Sequence, residues 1–263
     1  MSENSDFILV SERGWRRGFI NLLENELASW WKTRMWWVQC LIWGGMVGFM
    51  LGAVLFGTPD FKIEDGLMIY SIFAGMFPAV GVVIIMQGVM VGEKKDGTAA
   101  WVMSKPAARP AFILSKLVAN SLGVLATMVV LPGLVAFVIF LFRTKAGLDP
   151  LSFLAGLGVI FLNQLFYLTL TLMLGAFFNV RGPVIGFALA FLFLQQYLIG
   201  LLPGLRYVLP WTLVVPLNNT MEAIVPQLLA GQPIFSYIPL LAIPGECILF
   251  VLFALWRFNR EEF

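Results

Sequence analysis

Few residues of this 263-residue chain are of types that carry out catalysis. Histidine is absent, which removes the usual proton shuttle at neutral pH and the commonest ligand of transition metals. Cys40 and Cys247 are the only thiols, and Glu246 is the one carboxyl side chain within the long apolar segments. We therefore expect no catalytic residue, no metal site and no bound cofactor in this chain.

A nucleotide-binding phosphate loop is also missing from the sequence. The pattern G-x-x-x-x-G-K-[ST] does not occur, and the dipeptide Gly-Lys is found nowhere. The chain therefore does not hydrolyse ATP by that mechanism unaided. A carrier driven by an ion gradient usually needs ionisable groups at the membrane midplane, and Glu246 alone is thin support for one.

The composition is that of a membrane protein. Apolar residues make up 60% of the chain and charged residues only 12%, too few to cover a soluble globule. Uncharged runs of about 20 residues or more suffice to cross a hydrocarbon core, and only helices satisfy their own backbone there. We predict an all-α polytopic protein in which residues 1–263 form one transmembrane domain, with spans at residues 36–57, 67–92, 112–142, 151–178, 183–203 and 237–256.

The distribution of basic residues predicts the orientation. With six spans both termini lie on one side, and that side receives 13 of the 17 lysine and arginine residues. We therefore expect cytoplasmic termini in a cell membrane. The first residues are polar and acidic, so we predict no secretory signal peptide and a first span that is retained.

The stretch before the first span, residues 15–34, has helical periodicity. Its aromatic ends suit the headgroup layer, so we predict a helix lying in the plane of the interface. The alternative is that this helix packs on a cytoplasmic domain, but the chain has no segment that would form one. The apolar face would contain Trp15, Phe19, Leu22, Leu23, Leu27, Trp30 and Trp31, and the polar face Arg16, Arg17, Asn21, Glu24, Asn25 and Glu26.

The segment between the second and third spans is the most informative. Gly97 allows a sharp reversal, Thr98 can cap a short helix, and Pro106 blocks its continuation, so residues 98–105 should form about two helical turns. A short rigid helix with exposed Trp101 and Met103 suits a groove on a soluble partner. The other interpretation is a tight connecting loop whose charges hold it in water.

This segment resembles that of membrane subunits of ABC-2 type ABC transporters. The matching residues, in order, are Glu93, Gly97, Thr98, Pro106, Arg109 and Lys116; the dense charge of residues 94–96 departs from the pattern. The resemblance implies a coupling loop at 97–109, in which Trp101 and Met103 would contact a separate ATPase subunit that binds ATP and Mg²⁺. It also places Glu93 near the in-plane helix, paired with a basic residue there.

The resemblance further implies a homodimer or a heterodimer with a sister permease, and export. The many aromatic and methionine residues favour a hydrophobic or amphipathic cargo. Apart from the ATPase we expect membrane lipids, and no nucleic acid, as partners. The rival interpretations are a membrane scaffold for an ATPase-linked maturation or assembly system, a gradient-driven carrier and an intramembrane lipid-modifying enzyme.

Residues 204–236 are too apolar for a free loop and too rich in proline for another span, which predicts short re-entrant or interface helices. Arg206 and Glu222 would lie near the exit or anchor this segment at the outer headgroups. Amides within the spans either line a pathway together with Glu246 or hold helices together; they are Gln87, Asn163, Gln164, Gln195 and Gln196. Gly44, Gly48 and Gly52 predict a close helix seam within one copy or between two.

Overall fold

A computed structural model of the chain describes residues 14–57, 62–143, 148–217 and 222–261. Within these ranges the protein is helical and has no strand. Six helical segments are long and apolar enough to cross a membrane: Met35–Gly57, Ile63–Lys95, Arg109–Arg143, Pro150–Phe177, Arg181–Leu201 and Ile238–Asn259. The predicted all-α polytopic fold is confirmed, and the predicted span boundaries differ from these by a few residues.

The helices number twelve among the described residues. They are α1 (Phe19–Trp31), α2 (Met35–Gly57), α3 (Ile63–Met86), α4 (Val91–Lys95), α5 (Thr98–Met103), α6 (Arg109–Val124), α7 (Leu131–Arg143), α8 (Pro150–Phe177), α9 (Arg181–Leu201), α10 (Trp211–Val214), α11 (Ile224–Leu229) and α12 (Ile238–Asn259). Short 3₁₀ turns occupy Gly14–Arg16 and Pro203–Tyr207.

The third span changes its winding at its middle. Residues Leu125–Val130 form a π-helical turn that joins α6 to α7. Pro132 follows directly, and its ring has no N–H and would crowd the carbonyl four residues earlier. The wider turn accommodates this proline without ending the helix.

Helix α8 is the centre of the bundle. It packs against α3, α6, α9, α11 and α12. In its most apolar stretch of 18 residues 61% of the residues are buried, against 17% in the corresponding stretch of α12. Asp149 caps its first turn, because the carboxylate accepts a hydrogen bond from the Ser152 backbone N–H at 2.8 Å. The bonds to Ser152 hold the pKa of Asp149 below its ordinary value.

The two ends of the bundle differ in construction. One end carries α1, α4, α5 and the last residues of α12, and we call it the terminal face because both described chain ends lie there. The opposite face carries Pro203–Tyr207, α10 and α11. The terminal face is where the charged side chains of the loop between the second and third spans come together.

Candidate functional site on the terminal face

Helix α5 is a stub that projects between the second and third spans. Gly97 precedes it in the left-handed conformation (φ 72°), which a residue with a side chain adopts only under strain. Thr98 is the first residue of the helix and not its cap, so the expected capping role of Thr98 is wrong. The helix ends at Met103, two residues earlier than expected, ahead of Pro106.

The outer surface of α5 is formed by Trp101. Its side chain is 63% exposed, and the Lys105 ammonium lies 5.0 Å from the ring centroid. Met103 is only partly exposed because it packs with Val102 against the hydrophobic core, which corrects the expectation that it is exposed like Trp101. Ala99 is buried. The stub therefore presents one aromatic side chain and is seated on the bundle by its other side.

Lys116 joins three helices below the stub. Its side chain is only 1% exposed, and its ammonium donates to carboxylate oxygens of Glu26 in α1 and Glu93 in α4. The ammonium also lies over the Phe112 ring. Two carboxylates offset the cost of burying one cation, so the three charges hold α1, α4 and α6 together. We call Glu26, Glu93 and Lys116 the ion triad.

The ion triad corrects the expected partner of Glu93. Glu93 does lie beside α1, but its basic partner comes from the third span, and α1 contributes an acid. The expected placement of Glu26 on the polar face of α1 is therefore wrong. Glu26 is spaced four residues from Leu22 and from Trp30, both of which face the bundle.

Two further cations tie the stub's base to the end of α12. Lys94 donates to the carbonyl of Ala176 at 2.7 Å and pairs with Glu261 at 2.8 Å. Arg109 donates to the carbonyls of Phe258, Asn259 and Glu261 at 3.1, 2.7 and 2.9 Å. A cation at a helix C-terminus is favoured by the helix dipole, so Arg109 stabilises the end of α12. These bonds connect α4 to the ends of α8 and α12, and the start of α6 to the end of α12.

Helix α1 is also fastened to the third span. The Trp30 indole N–H donates to Asn120 at 3.0 Å. A methyl group at Gly123 would lie 2.4 Å from that indole ring, so the absence of a side chain at Gly123 provides the space for the Trp30 ring. The Ala108 N–H donates to the carbonyl of Arg17 at 2.9 Å. Helix α1 is therefore packed on the bundle at the level of the stub.

On the opposite face, α10 is inserted into the bundle. The Ser71 hydroxyl donates to the Val214 carbonyl at 2.5 Å, and the Trp211 N–H donates to the Gln195 side chain at 3.0 Å. Ser71 and Gly75 lie about 12 and 18 Å along α3 from its start at about 1.5 Å per residue. All four residues of α10 are buried, so this segment re-enters the bundle.

The intramembrane amides have structural partners. Pro78 has no N–H and leaves the Ala74 carbonyl, four residues earlier, without its helical donor. Gln164 donates to the carbonyls of Ala74 and Gly75 at 3.3 and 2.8 Å, and Asn163 donates to that of Gly75 at 3.0 Å. These contacts favour the interhelical role that the sequence left open for both residues.

The remaining amides and Glu246 lie in different surroundings. Gln195 is buried and donates to the Tyr167 hydroxyl at 2.5 Å, so it also holds helices together. Gln87 is partly buried. Gln196 is exposed on α9. Glu246 is half-buried on α12, with no hydrogen-bond or ion-pair partner among the described residues.

Arg206 lies with Gln196 in a cleft of about 700 Å³ on the opposite face, between the end of α9 and the re-entrant segment. Arg206 donates to the Tyr207 hydroxyl at 2.6 Å. This bond, supported by the charge of Glu222, raises the pKa of Arg206 above its ordinary value. Glu222 is exposed.

The glycine ladder of the first span faces the third span of the same chain. A methyl group at Gly44 would lie 2.8 Å from Leu131, and one at Gly48 would lie 3.3 Å from Val135. Gly52 faces open space. Gly44 and Gly48 therefore form a seam within the protomer.

We expect Gly75→Ala to displace α10. The added methyl group would lie 2.4 Å from the Val214 Cβ atom, and overpacking of this kind costs about 1–3 kcal/mol. The matched control is Gly52→Ala, which meets nothing within 4 Å and should be neutral or slightly stabilising. Thermal unfolding of both variants in detergent measures the difference, and equal midpoints would contradict the tight seat of α10.

The geometry defines a class of protein: a multi-pass helical membrane protein in which charged side chains link the segments on either side of a short stub helix to several membrane helices. The sequence matches the family described as ABC-2 family transporter protein over residues 51–263, which is most of the chain. The chain belongs to this family, and it is the permease type of subunit of an ABC transporter. No curated protein matches it.

Proposed function

We propose that this chain is the permease subunit of an ATP-driven ABC-2 exporter, powered by a separate ATPase subunit that docks on α5. The single observation that carries the proposal is the geometry of the stub. Its outer side exposes Trp101, while the segment that leads to it is fastened to the bundle by Lys94, Lys116 and Arg109. A partner that moves α5 would therefore move the bundle with it.

The expected docking contact is an aromatic anchor in a groove. Trp is among the residue types most enriched at the energetic centres of protein interfaces, and Trp101 is positioned on a short helix of six residues. Gly97, Thr98, Pro106 and Arg109 would shape and hold this element, and Glu93 would transmit its movement to α1 through Lys116. ATP and Mg²⁺ would bind in the partner subunit.

The proposed orientation puts the terminal face in the cytoplasm of a cell membrane. Thirteen of the 17 lysine and arginine residues belong to that side, as the positive-inside rule requires for a cytoplasmic face. Two copies, or one copy and a sister permease, would then flank a pathway that ends near Gln196, Arg206 and Glu222. Glu246 would face that pathway or the second copy, because an isolated carboxyl is costly against lipid.

The proposed cargo is hydrophobic or amphipathic. The cleft at Arg206 combines a cation and an amide with apolar walls that include Ile199 and Leu217. A second groove of about 550 Å³, between α6, α8 and α12, has an almost entirely apolar lining. An amphipathic molecule matches both kinds of surface better than a small hydrophilic ion does.

A membrane scaffold within an ATPase-linked assembly system remains the second candidate, because it would use the same stub. The two are separated by reconstitution. The permease, co-purified with its ATPase and placed in proteoliposomes, should couple ATP hydrolysis to export of an amphipathic probe. ATP hydrolysis in a stable complex without movement of any probe would favour the scaffold, and failure to bind an ATPase would contradict both.

A further inference from the structure

A cleft on the terminal face is lined by no residue of the ion triad and by neither Lys94 nor Arg109. It has a volume of about 530 Å³ and is bounded by α4 and by the turn between α8 and α9; its lining residues are Val91, Gly92, Lys95, Asp96, Asn179, Val180 and Arg181. We call it the basic cleft. Lys95 and Arg181 are exposed, and neither has a hydrogen bond or ion pair within the part of the chain that the structure describes.

The position of Arg181 is built into the fold. Methyl groups at Gly88 and Gly92 would lie 3.6 and 3.5 Å from its guanidinium, so that group extends along the backbone of the helical turn between α3 and α4. Arg181 is also the first residue of the fifth span. Its charge is therefore held at the depth where the chain enters the membrane.

The surface next to the basic cleft is apolar. Val180 and Phe187 are exposed, and the Phe187 ring stacks on that of Phe178 at 5.6 Å between centroids. Phe187 lies about 9 Å along α9 from Arg181 at about 1.5 Å per residue. The two cations therefore lie next to an exposed apolar helix face. This surface is complementary to a phospholipid, whose charged phosphate lies above its acyl chains.

We propose that the basic cleft binds an anionic phospholipid from the leaflet on the terminal face. Lys95 and Arg181 would contact the phosphate, the Asn179 amide would donate to a headgroup oxygen, and an acyl chain would lie along Phe187. Asp96 lies in the same cleft and leaves its lining one net positive charge, which matches a single phosphate. Basic pockets between membrane helices on the cytoplasmic side bind anionic headgroups in this way.

The test is lipid binding by the delipidated chain, counted by native mass spectrometry in the absence of any ATPase. Phosphatidylglycerol should bind more tightly than phosphatidylcholine with the same acyl chains. Arg181→Gln and Lys95→Gln should each weaken phosphatidylglycerol binding about five-fold, and the double variant about 25-fold. The matched control is Arg34→Gln, which removes another exposed cation from the same face and should change binding by less than about two-fold.

Three results would overturn the proposal: equal binding of the two lipids, equal behaviour of the double variant and the control, or displacement of the lipid by soluble glycerol phosphate. The charge-retaining pair Lys95→Arg and Arg181→Lys should keep phosphatidylglycerol binding, which separates a charge effect from misfolding. The proposal rests on the proposed function only for the identity of the leaflet, so its failure would leave the ATPase proposal standing.

Discussion

Lys116→Met is expected to destabilise the protein more than any other single substitution on the terminal face. It removes the one cation between Glu26 and Glu93 and leaves two carboxylates facing each other. Loss of one partner from a buried ion pair costs about 3–5 kcal/mol, and the partial exposure of both glutamates places this case near the lower value. The apparent midpoint of thermal unfolding in detergent measures the effect.

Two variants make the interpretation of Lys116→Met specific. Lys105→Met removes an exposed cation from the same loop and should leave the midpoint nearly unchanged. Adding Glu26→Gln and Glu93→Gln to Lys116→Met removes the unpaired charges and should restore much of the stability. If Lys116→Met unfolds at the same temperature as Lys105→Met, the ion triad does not hold the three helices together.

Trp101→Ala is expected to abolish coupled transport without destabilising the permease. The side chain is mostly exposed, so its removal leaves the folded bundle intact. Truncation of a central tryptophan in an interface costs about 2 kcal/mol or more, which weakens ATPase binding by about 30-fold. Affinity for the partner ATPase and ATP-dependent transport in proteoliposomes are the two measurements.

Trp15→Ala is the matched control for Trp101→Ala. Trp15 is also half-exposed on the terminal face, with the Arg16 guanidinium 5.3 Å from its ring, but it lies outside α5. Its removal should leave ATPase affinity unchanged. Similar losses in the two variants would indicate a general surface effect and would contradict the assignment of α5 as the docking element.

Much of the fold follows from local sequence properties. Six spans could be predicted because a continuous apolar run of sufficient length satisfies its backbone hydrogen bonds in a bilayer only as a helix. The stub between Gly97 and Pro106 could be predicted because glycine and proline act on the backbone at their own positions. The π-helical turn before Pro132 was not predicted, although the proline was a visible signal.

The network beneath the stub could not be predicted from local patterns. Lys116 and Glu26 are 90 positions apart, and the pairing of their charges depends on how α1 packs on α6. Grouping residues by polarity alone assigns Glu26 to the polar face of α1, whereas its four-residue spacing from Trp30 places it on the packed side. The partial burial of Met103 has the same origin, because hydrophobicity alone does not say which side of a short helix is covered.

The amides of the fourth span show a signal that was available in the sequence. Pro78 leaves the Ala74 carbonyl in α3 without its helical donor, and Gln164 supplies one, while Asn163 donates to the next carbonyl, that of Gly75. An intramembrane proline therefore suggests a structural role for amides on a neighbouring span before a role in a pathway is considered. Which span is the neighbour is known only from the fold.

The most direct test of the central claim is photocrosslinking from position 101 in intact cells. A photoreactive amino acid in place of Trp101 should form a covalent adduct with an ATPase subunit, identified by mass spectrometry, while the same amino acid at position 15 should not. An adduct with lipid or an extracellular protein, or the absence of any ATPase adduct from a transport-competent complex, would contradict the claim that α5 receives the motor.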